Sequence, residues 1–206
     1  MDHLLVVEGS TAAPAGRTSL PAAKFLERTH LQEWIIANPQ VIGADVLVVT
    51  SEYNRWTSES DGATAADRLD VLGLDDTGQL VVVEIKRDGS GRDVHLQAIT
   101  YAALVSRFTI DTLAVAHRDF LRTRGEPQLG VEEARTRLLE HVDGDLDEDV
   151  LRRPRLVLVA ASFPRSVTHT AVWLSEMSVQ IRLVQVSSWQ VGEQHVIGFG
   201  QMYPPS

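Results

Sequence analysis

The sequence predicts an α/β fold in which a central mixed β-sheet is flanked by helices. Three patterns predict it: a β-hairpin of two apolar runs in the first half, amphipathic helical segments in the middle, and a strand–helix–strand unit in the last quarter. The chain has 206 residues, of which 44% are hydrophobic and 23% are charged. That length and composition favour one folded domain with a substantial core.

The first part of the chain is expected to contain a lead-in and one helix. Residues 1–20 are rich in Thr, Ala, Pro and Gly, so a poorly ordered lead-in is predicted before a single domain over residues 21–206. Apolar residues then recur at helical spacing, namely Leu26, Leu31, Trp34 and Ile35. Asn38 and Pro39 supply the stop of this helix.

The next elements are expected to be strands. β-Branched residues dominate Asp45–Tyr53, which predicts a strand, and the polar stretch from Arg55 to Ala66 predicts a loop. Two apolar runs follow, over Arg68–Leu74 and Leu80–Lys86. The residues between them have hairpin chemistry, and they are Asp75, Asp76, Thr77, Gly78 and Gln79.

Helices and further strands are expected in the remainder. Gly89–Gly91 breaks the chain, and Asp93 can cap a helix that runs to about Phe108. Amphipathic patterns predict two more helices, around Leu113–Leu121 and Glu132–Val142. The last quarter predicts a strand, a helix and two strands, over Arg155–Ala161, Ser166–Met177, Val179–Val186 and Val196–Met202. The first three form a βαβ unit, whose strands should extend the mixed sheet.

The composition limits which metals and partners the chain is expected to bind. With no cysteine, disulfides and thiolate ligands are excluded, so a bound metal would use oxygen or imidazole ligands, and hard cations such as Mg²⁺ or Mn²⁺ fit best. A net charge of −9 argues against broad electrostatic capture of nucleic acid, although it permits a local basic groove. No apolar run is long enough for a membrane helix and no signal sequence is recognised, so a cytoplasmic location without membrane contact is expected.

The hairpin register places two carboxylates together. If the turn is centred on Thr77, Asp70 and Glu84 each lie seven positions from the centre and pair across the strands. Directly paired residues point to the same face, with β-carbons about 5 Å apart. Lys86 shares that face, because it is two positions beyond Glu84. Since the chain has only one other lysine, Lys24, a lysine at this position is less expected by chance.

The strand around Glu84 makes this cluster unusual. Val81–Val83 and Ile85 indicate burial on both faces, and side-by-side buried carboxylates are costly unless a cation compensates them. A divalent metal held by Asp70 and Glu84 is the natural compensation. It would polarise a phosphate and acidify a water that Lys86 orients or deprotonates, which predicts phosphodiester hydrolysis. The alternative is a salt-bridged cluster that only fixes the hairpin.

Neighbouring helices offer further polar candidates. Gln97 and Tyr101 are four apart and share one face of the helix after the hairpin, where they could position a water and a DNA phosphate. A core tyrosine beside a polar neighbour is the alternative. Glu27 shares the inward face of the first helix with Leu31, whereas Glu33 lies well round the helix from it. Glu27 is therefore the preferred additional carboxylate.

Asp70, Glu84-Ile85-Lys86 and Gln97-x-x-x-Tyr101, preceded by a helical glutamate, together resemble the PD-(D/E)xK or restriction-endonuclease-like superfamily, in particular its RecB-like and NucS-like branch with a QxxxY element. The proline of the family name is absent, since Leu69 precedes Asp70. Three stretches further resemble bacterial nuclease-like proteins of unassigned role, in which this domain usually precedes a second one: ERTHLQEWIIANP, DRLDVLGLDDTGQLVVVEIKRDGSGRDVHLQAITYA and RLVLVAASFPRSVTHTAVWL.

The resemblance implies a restriction-endonuclease-like fold and metal-dependent hydrolysis of DNA, with an endonuclease as the expected type. Asp70 and Glu84 would hold Mg²⁺ or Mn²⁺, with Ile85 as a third metal position, and Lys86 would serve the attacking water. Supporting catalytic roles would fall to Glu27, Gln97 and Tyr101. Arginines flanking the centre could meet DNA phosphates, although solvated side chains are the usual alternative: Arg68, Arg87 and Arg92.

Two other functions remain open on the sequence. The same fold without catalysis would make a nucleic-acid-binding or scaffolding module, which the negative net charge mildly favours. A phosphatase or other Mg²⁺ hydrolase of small phosphoesters would use the same chemistry in a closed pocket, whereas a nuclease needs an open cleft. The final YPPS is linker-like, which suggests a further C-terminal domain in a longer parent chain. A homodimer is also considered, because many proteins of this fold act as dimers on duplex DNA.

Overall fold

The computed structural model of the chain describes residues 3–55, 68–88 and 93–205. Its strands are β1 (Leu5–Glu8), β2 (Thr11–Pro14), β3 (Gly16–Thr18), β4 (Val46–Tyr53), β5 (Leu69–Asp75), β6 (Leu80–Lys86), β7 (Arg155–Ala160), β8 (Ile181–Val191) and β9 (Gln194–Tyr203). Its α-helices are α1 (Glu33–Ala37), α2 (Val94–Val105), α3 (Ile110–Thr123), α4 (Val131–His141), α5 (Glu148–Leu151) and α6 (Arg165–Glu176). A π-helical turn (Glu27–Gln32) runs directly into α1, and together they form the predicted first helix. A 3₁₀ turn (Pro39–Val41) follows it.

One mixed sheet organises the described part of the chain. Its strand order is β3–β8–β7–β6–β5–β4. Strand β9 pairs with the edge of β8 that faces away from β3 and β7. Strands β6, β7 and β8 run parallel to one another, whereas the other pairs in this sheet are antiparallel. Helix α6 joins the parallel strands β7 and β8, as predicted for the βαβ unit. The predicted α/β class with a central mixed sheet is therefore confirmed.

The predicted hairpin of β5 and β6 is confirmed together with its register. The observed pair Val71–Val83 is centred on position 77. Asp75 closes the turn, because its Oδ1 accepts hydrogen bonds from two main-chain N–H groups of the turn at 3.1 and 3.0 Å. Gly78 has a φ of +83°, a conformation that other residues rarely adopt. Because Asp70 and Glu84 each lie seven positions from the centre of the turn, the two predicted carboxylates lie at the end of the hairpin away from the turn.

Both faces of the sheet are covered. On one face, residues such as Leu72 and Val82 pack against α2, α3, α4 and α6. On the other, their sequence neighbours Val71 and Val83 pack in a second core with Leu31 of the first helix. Burial on both faces explains why these strands are continuous apolar runs rather than alternating ones. Helices thus flank the sheet, as predicted.

Strands β1 to β3 lie where a poorly ordered lead-in was predicted. β1 pairs with β2 as a hairpin, and β3 pairs with β8. Leu20, at the end of the predicted lead-in, is only 2% exposed. The prediction was therefore wrong for these residues. Main-chain hydrogen bonds form β1 and β2 while their side chains stay largely exposed, so the sequence shows no alternation of apolar residues there.

The predicted helices are present with shifted ends. α2 ends at Val105 rather than near Phe108, α3 and α4 cover the two predicted middle helices, and α5 was not predicted. Asp93 occupies the N-cap position of α2, but its side chain makes no capping hydrogen bond. The predicted loop from position 56 onward and the predicted break at Gly89–Gly91 lie outside the described residues. Within the described ranges no single helix has the length and hydropathy of a membrane span; α2 and α3 reach them only as a pair, across a bend of 117°.

Candidate active site

Two acidic side chains meet at the open end of the β5–β6 hairpin. Asp70 is 8% exposed and Glu84 is 2% exposed, and the observed register, continued by one pair, places them opposite each other. Asp70 Oδ2 accepts a hydrogen bond from the Ile85 N–H at 2.8 Å, which holds this carboxylate against β6. Oε1 of Glu84 is buried and has no hydrogen-bond partner among the described residues. The cluster thus contains an acceptor that the described chain leaves unsatisfied, which is rare for a buried polar atom.

Lys86 and Glu27 complete this cluster. Lys86 Nζ lies 3.6 Å from Glu84 Oε2 and 3.9 Å from Glu27 Oε1. Glu27 begins the first helix, and its Oε2 accepts a hydrogen bond from the Arg87 N–H at 3.0 Å. This bond fixes the start of the helix against the end of β6. The side chains of Lys86 and Glu27 are 24% and 34% exposed, so solvent reaches the cluster on this side.

The structure separates the two candidate helical glutamates. Glu27 lies beside Lys86, whereas the carboxylate of Glu33 accepts two hydrogen bonds from Arg124 at 2.6 and 2.7 Å. Such a two-pronged pair occupies both carboxylate oxygens. The geometry therefore brings Glu27 to the cluster and leaves Glu33 outside it.

Burial changes the acidity of the paired carboxylates. Burial raises the pKa of Asp70 to about 6; the carboxylates of Glu27 and Glu52 add to this, while a main-chain N–H and Lys86 oppose it. The pKa of Glu84 is raised to about 9, first by burial and then by the Asp70 carboxylate, against the attraction of Lys86. Both directions follow from removing like charges from water without a counter-ion. In the metal-free chain, the pair therefore loses its protons at higher pH than isolated carboxyl groups do.

These side chains fit a hard divalent cation. Asp70 and Glu84 offer negative charge and oxygen ligands, one of them unsatisfied, and Mg²⁺ and Mn²⁺ prefer such ligands. Ile85 has a buried hydrocarbon side chain, so it could contribute only its main-chain carbonyl. Within the described ranges, no group of three or more His, Asp or Glu side chains is placed to hold a metal ion. A cation bound by Asp70 and Glu84 would therefore complete its coordination with main-chain or water oxygens.

The two polar residues of α2 lie in different environments. Tyr101 is 4% exposed and packs in the core between the sheet and helices α2, α3, α4 and α6. Gln97 is exposed, and no hydrogen bond to another described residue joins its side chain to the cluster. The position of Tyr101 agrees with its alternative interpretation as a core residue. The catalytic roles of Gln97 and Tyr101 stay predictions.

The three flanking arginines also differ in position. The side chain of Arg68 is 44% exposed, and its Nη1 lies 3.6 Å from Oε2 of Glu52. Arg87 donates its main-chain N–H to Glu27, and the residue is partly exposed. Arg92 lies outside the described residues. Of these arginines, Arg68 is the one whose guanidinium the structure places against a carboxylate next to Asp70.

Glu52, near the end of β4, is a neighbour of the cluster that the sequence analysis did not identify. It lies opposite Asp70, because the observed pairs on either side of it join positions 51 to 71 and 53 to 69. Its φ of +53° is in the left-handed region, which residues other than glycine adopt only where the surroundings hold the backbone. The available signal was a charged residue in the otherwise apolar predicted strand Asp45–Tyr53.

Two arginines hold the Glu52 carboxylate. Oε1 lies 3.1 Å from Arg28 Nε, and Oε2 lies 3.6 Å from Arg68 Nη1. Both carboxylate oxygens are buried and accept no well-formed hydrogen bond from a described residue, so ion pairing alone fixes them. Arg28 was likewise missed by the sequence analysis, since its role depends on a strand distant in sequence.

A cleft of about 320 Å³ adjoins Glu52. It lies between the end of β4 and helix α3, and Arg55, Asp119 and Phe120 are among the residues that line it. Arg55 and Asp119 form an ion pair within it. The cluster is therefore bordered on the Glu52 side by a cleft with charges of both signs.

Comparison with known proteins gives a limited likeness. No family model and no curated protein matches the chain. Among solved structures, a complex of EndoMS with double-stranded DNA is 19% identical with a TM-score of 0.35, over 75% of this chain and 43% of that one. A repair endonuclease from Pyrococcus abyssi is 16% identical with a TM-score of 0.36, over 75% of this chain and 45% of that one. The chain thus spans less than half the length of these proteins, and at these values the likeness does not assign its function.

Proposed function

We propose that this chain is a divalent-metal-dependent nuclease that hydrolyses phosphodiester bonds of DNA. In this proposal Asp70 and Glu84 hold Mg²⁺ or Mn²⁺, and Lys86 serves the attacking water. One observation supports it above the others: two buried carboxylates lie side by side, with an unsatisfied oxygen on Glu84 and the Lys86 ammonium 3.6 Å away. If the cluster had only a structural role, apolar residues could replace it at little or no cost in stability, so stability alone does not explain these charged side chains.

The chain's own groups have distinct tasks in this proposal. The Ile85 N–H fixes the orientation of Asp70 before any cation arrives. Lys86 lies between the carboxylates of Glu84 and Glu27, from where its N–H groups can orient a water and stabilise negative charge that develops on a phosphate. Glu27 thereby positions the lysine. When bound, the metal supplies positive charge that polarises the phosphate and makes a water more acidic.

DNA is the proposed substrate for two reasons. The order and spacing of Asp70, Glu84 and Lys86 resemble the motif of PD-(D/E)xK nucleases. The exposure of the Lys86 and Glu27 side chains, 24% and 34%, lets a polymer approach the cluster from outside, which a closed pocket for a small phosphoester would not. A cytoplasmic location, a homodimer and a further C-terminal domain stay predictions.

Lys86→Ala is expected to lower DNA cleavage by about a hundredfold or more, the range for losing a group that serves a proton transfer. The native chain and the variant would be incubated with plasmid, linear and single-stranded DNA in Mg²⁺ or Mn²⁺. Cleavage by the native chain should disappear with a chelator and in the variant. The substrate that is cut fastest would identify the preferred form of DNA.

Lys24→Ala is the matched control for that experiment. Lys24 is the only other lysine in the chain, and it is exposed, so its loss should leave the cleavage rate near that of the native chain. No cleavage by the native chain on any of the three substrates with either metal would contradict the proposed function. Equal activity of the Lys86→Ala variant would contradict the role of the lysine.

A further inference from the structure

The proposed nuclease must attract a polyanion to an acidic site. The chain has a net charge of −9, and the carboxylates of Asp70, Glu84, Glu27 and Glu52 outnumber the single ammonium of Lys86 around the site. Binding to DNA depends on cationic side chains that displace counterions from its phosphates. Cationic groups at the rim of the site are therefore the candidates for gripping the substrate.

Arg28 and Arg68 converge on Glu52 from two different elements. Arg28 follows Glu27 at the start of the first helix, and Arg68 directly precedes β5, two residues before Asp70. The distances are 3.1 Å from Arg28 Nε to Oε1 and 3.6 Å from Arg68 Nη1 to Oε2. A shared carboxylate thus holds two guanidinium groups next to residues of the proposed metal site.

Both guanidinium groups keep room for a second anion. The side chains of Arg28 and Arg68 are 59% and 44% exposed, whereas the carboxylate oxygens of Glu52 between them are buried. A guanidinium carries several N–H donors in a planar fork, so an ion pair through one nitrogen leaves the others available. This fork matches the oxygens of a phosphate group. The two ion pairs place the Glu52 carboxylate between the guanidinium groups.

We propose that Arg28 and Arg68 bind a backbone phosphate of DNA next to the scissile bond, and that Glu52 holds their guanidinium groups in place for it. This proposal rests on the nuclease function proposed above and adds the residues that grip its substrate. Two arginines on one phosphate supply local positive charge where the chain as a whole is negative.

Loss of both arginines is expected to reduce the salt dependence of DNA binding. The parent would be the Lys86→Ala variant in Mg²⁺, so that the DNA stays intact, and the probe a short fluorescein-labelled DNA duplex followed by fluorescence anisotropy over a series of NaCl concentrations. Adding Arg28→Gln and Arg68→Gln should reduce the magnitude of the negative slope of log binding constant against log salt by about 0.9, the value for one lost phosphate contact. Affinity at low salt should fall as well, and a cooperative thermal unfolding curve would show that the variant is folded at the temperature of the binding measurement.

Arg152→Gln with Arg153→Gln is the matched control. Both residues are exposed, and they lie at the turn end of the hairpin, where the Gln79 side-chain amide donates to the Arg153 carbonyl at 2.7 Å. The charge change is the same, but the slope should not change. An unchanged slope after loss of Arg28 and Arg68, or an equal fall in both double variants, would overturn the proposal.

The outcomes also separate this proposal from the nuclease function. Cleavage by the native chain with an unchanged slope would overturn the phosphate contact alone. Binding with the expected fall in slope, but without cleavage by the native chain, would support the contact and overturn the nuclease function. Absence of DNA binding by the parent would overturn the phosphate contact. If the native chain also failed to cleave DNA, the nuclease function would be overturned as well.

Discussion

Glu84→Gln is expected to lower the rate of DNA cleavage by about 10²–10³-fold, the range for removing a group on which stabilisation of the transition-state charge depends. Glu84 is buried and its Oε1 has no partner among the described residues, so an amide of nearly equal volume would remove the negative charge of one of the two proposed metal ligands without leaving a cavity. Initial rates would be measured at saturating Mg²⁺ on the DNA that the native chain cuts fastest.

Glu33→Gln makes the same chemical change outside the cluster, where Glu33 pairs with Arg124. Its cleavage rate should stay near that of the native chain. Glu27→Gln should lie between the two, because Glu27 contacts Lys86 rather than the carboxylate pair. Cleavage by Glu84→Gln at the native rate would show that this carboxylate holds no catalytic metal.

The stability of the metal-free chain is expected to fall as the pH rises, and Mg²⁺ should remove most of that fall. In the folded state the pKa of Asp70 is raised from 3.8 to about 6, and that of Glu84 from 4.5 to about 9. The folded state therefore binds more protons than the unfolded state between these values, so the free energy of unfolding decreases with pH. This stabilising contribution is complete below about pH 4 and declines above it. The part from Asp70 is lost by about pH 6, and the part from Glu84 is lost by about pH 9.

Thermal unfolding with EDTA and with Mg²⁺, over the range from about pH 5 to about pH 9, would measure this effect. One pKa unit corresponds to about 1.4 kcal/mol. If the free energy of unfolding is lower in EDTA than in Mg²⁺ by about a few kcal/mol, the melting temperature in EDTA should be lower by on the order of 10 °C. The double variant Asp70→Asn with Glu84→Gln is the control, and its melting temperature should depend less on pH. Matching profiles for the native chain and this variant would show that the pair is not the cause.

The hairpin cluster could be predicted because local sequence determines it. The turn residues Asp75–Gln79 set the centre of the hairpin, and the apolar runs on either side set its strands. Once the centre is known, the alternation of side chains along β5 and β6 places Asp70, Glu84 and Lys86 together. The inward face of the first helix similarly indicated Glu27, although a π-helical turn rather than an α-helix presents it.

Glu52 and its arginines could not be predicted, because their position depends on contacts between distant segments. Strand β4 pairs with β5 across residues 54–68, and an irregularity between Val48 and Thr50 shifts its register by one residue. Such a bulge moves every later side chain to the other face, so Glu52 reaches Asp70 only through the assembled sheet. No local pattern in the sequence contains that shift.

The helix α2 shows a related limit of sequence patterns. Gln97 and Tyr101 are four residues apart, yet one is exposed and the other is buried. Periodicity gives the direction of a helical face, but the width of the buried stripe depends on which strands and helices pack against it. The position of such a pair relative to a site therefore requires the tertiary structure.

Calorimetric titration with Mn²⁺ tests most directly the central claim that Asp70 and Glu84 form a metal site. The native chain and Lys86→Ala should both bind Mn²⁺, because the lysine is not a ligand. The double variant Asp70→Asn with Glu84→Gln should bind it at least about tenfold more weakly. Absence of Mn²⁺ binding by the native chain, or equal affinity in the native chain and the double variant, would contradict the claim.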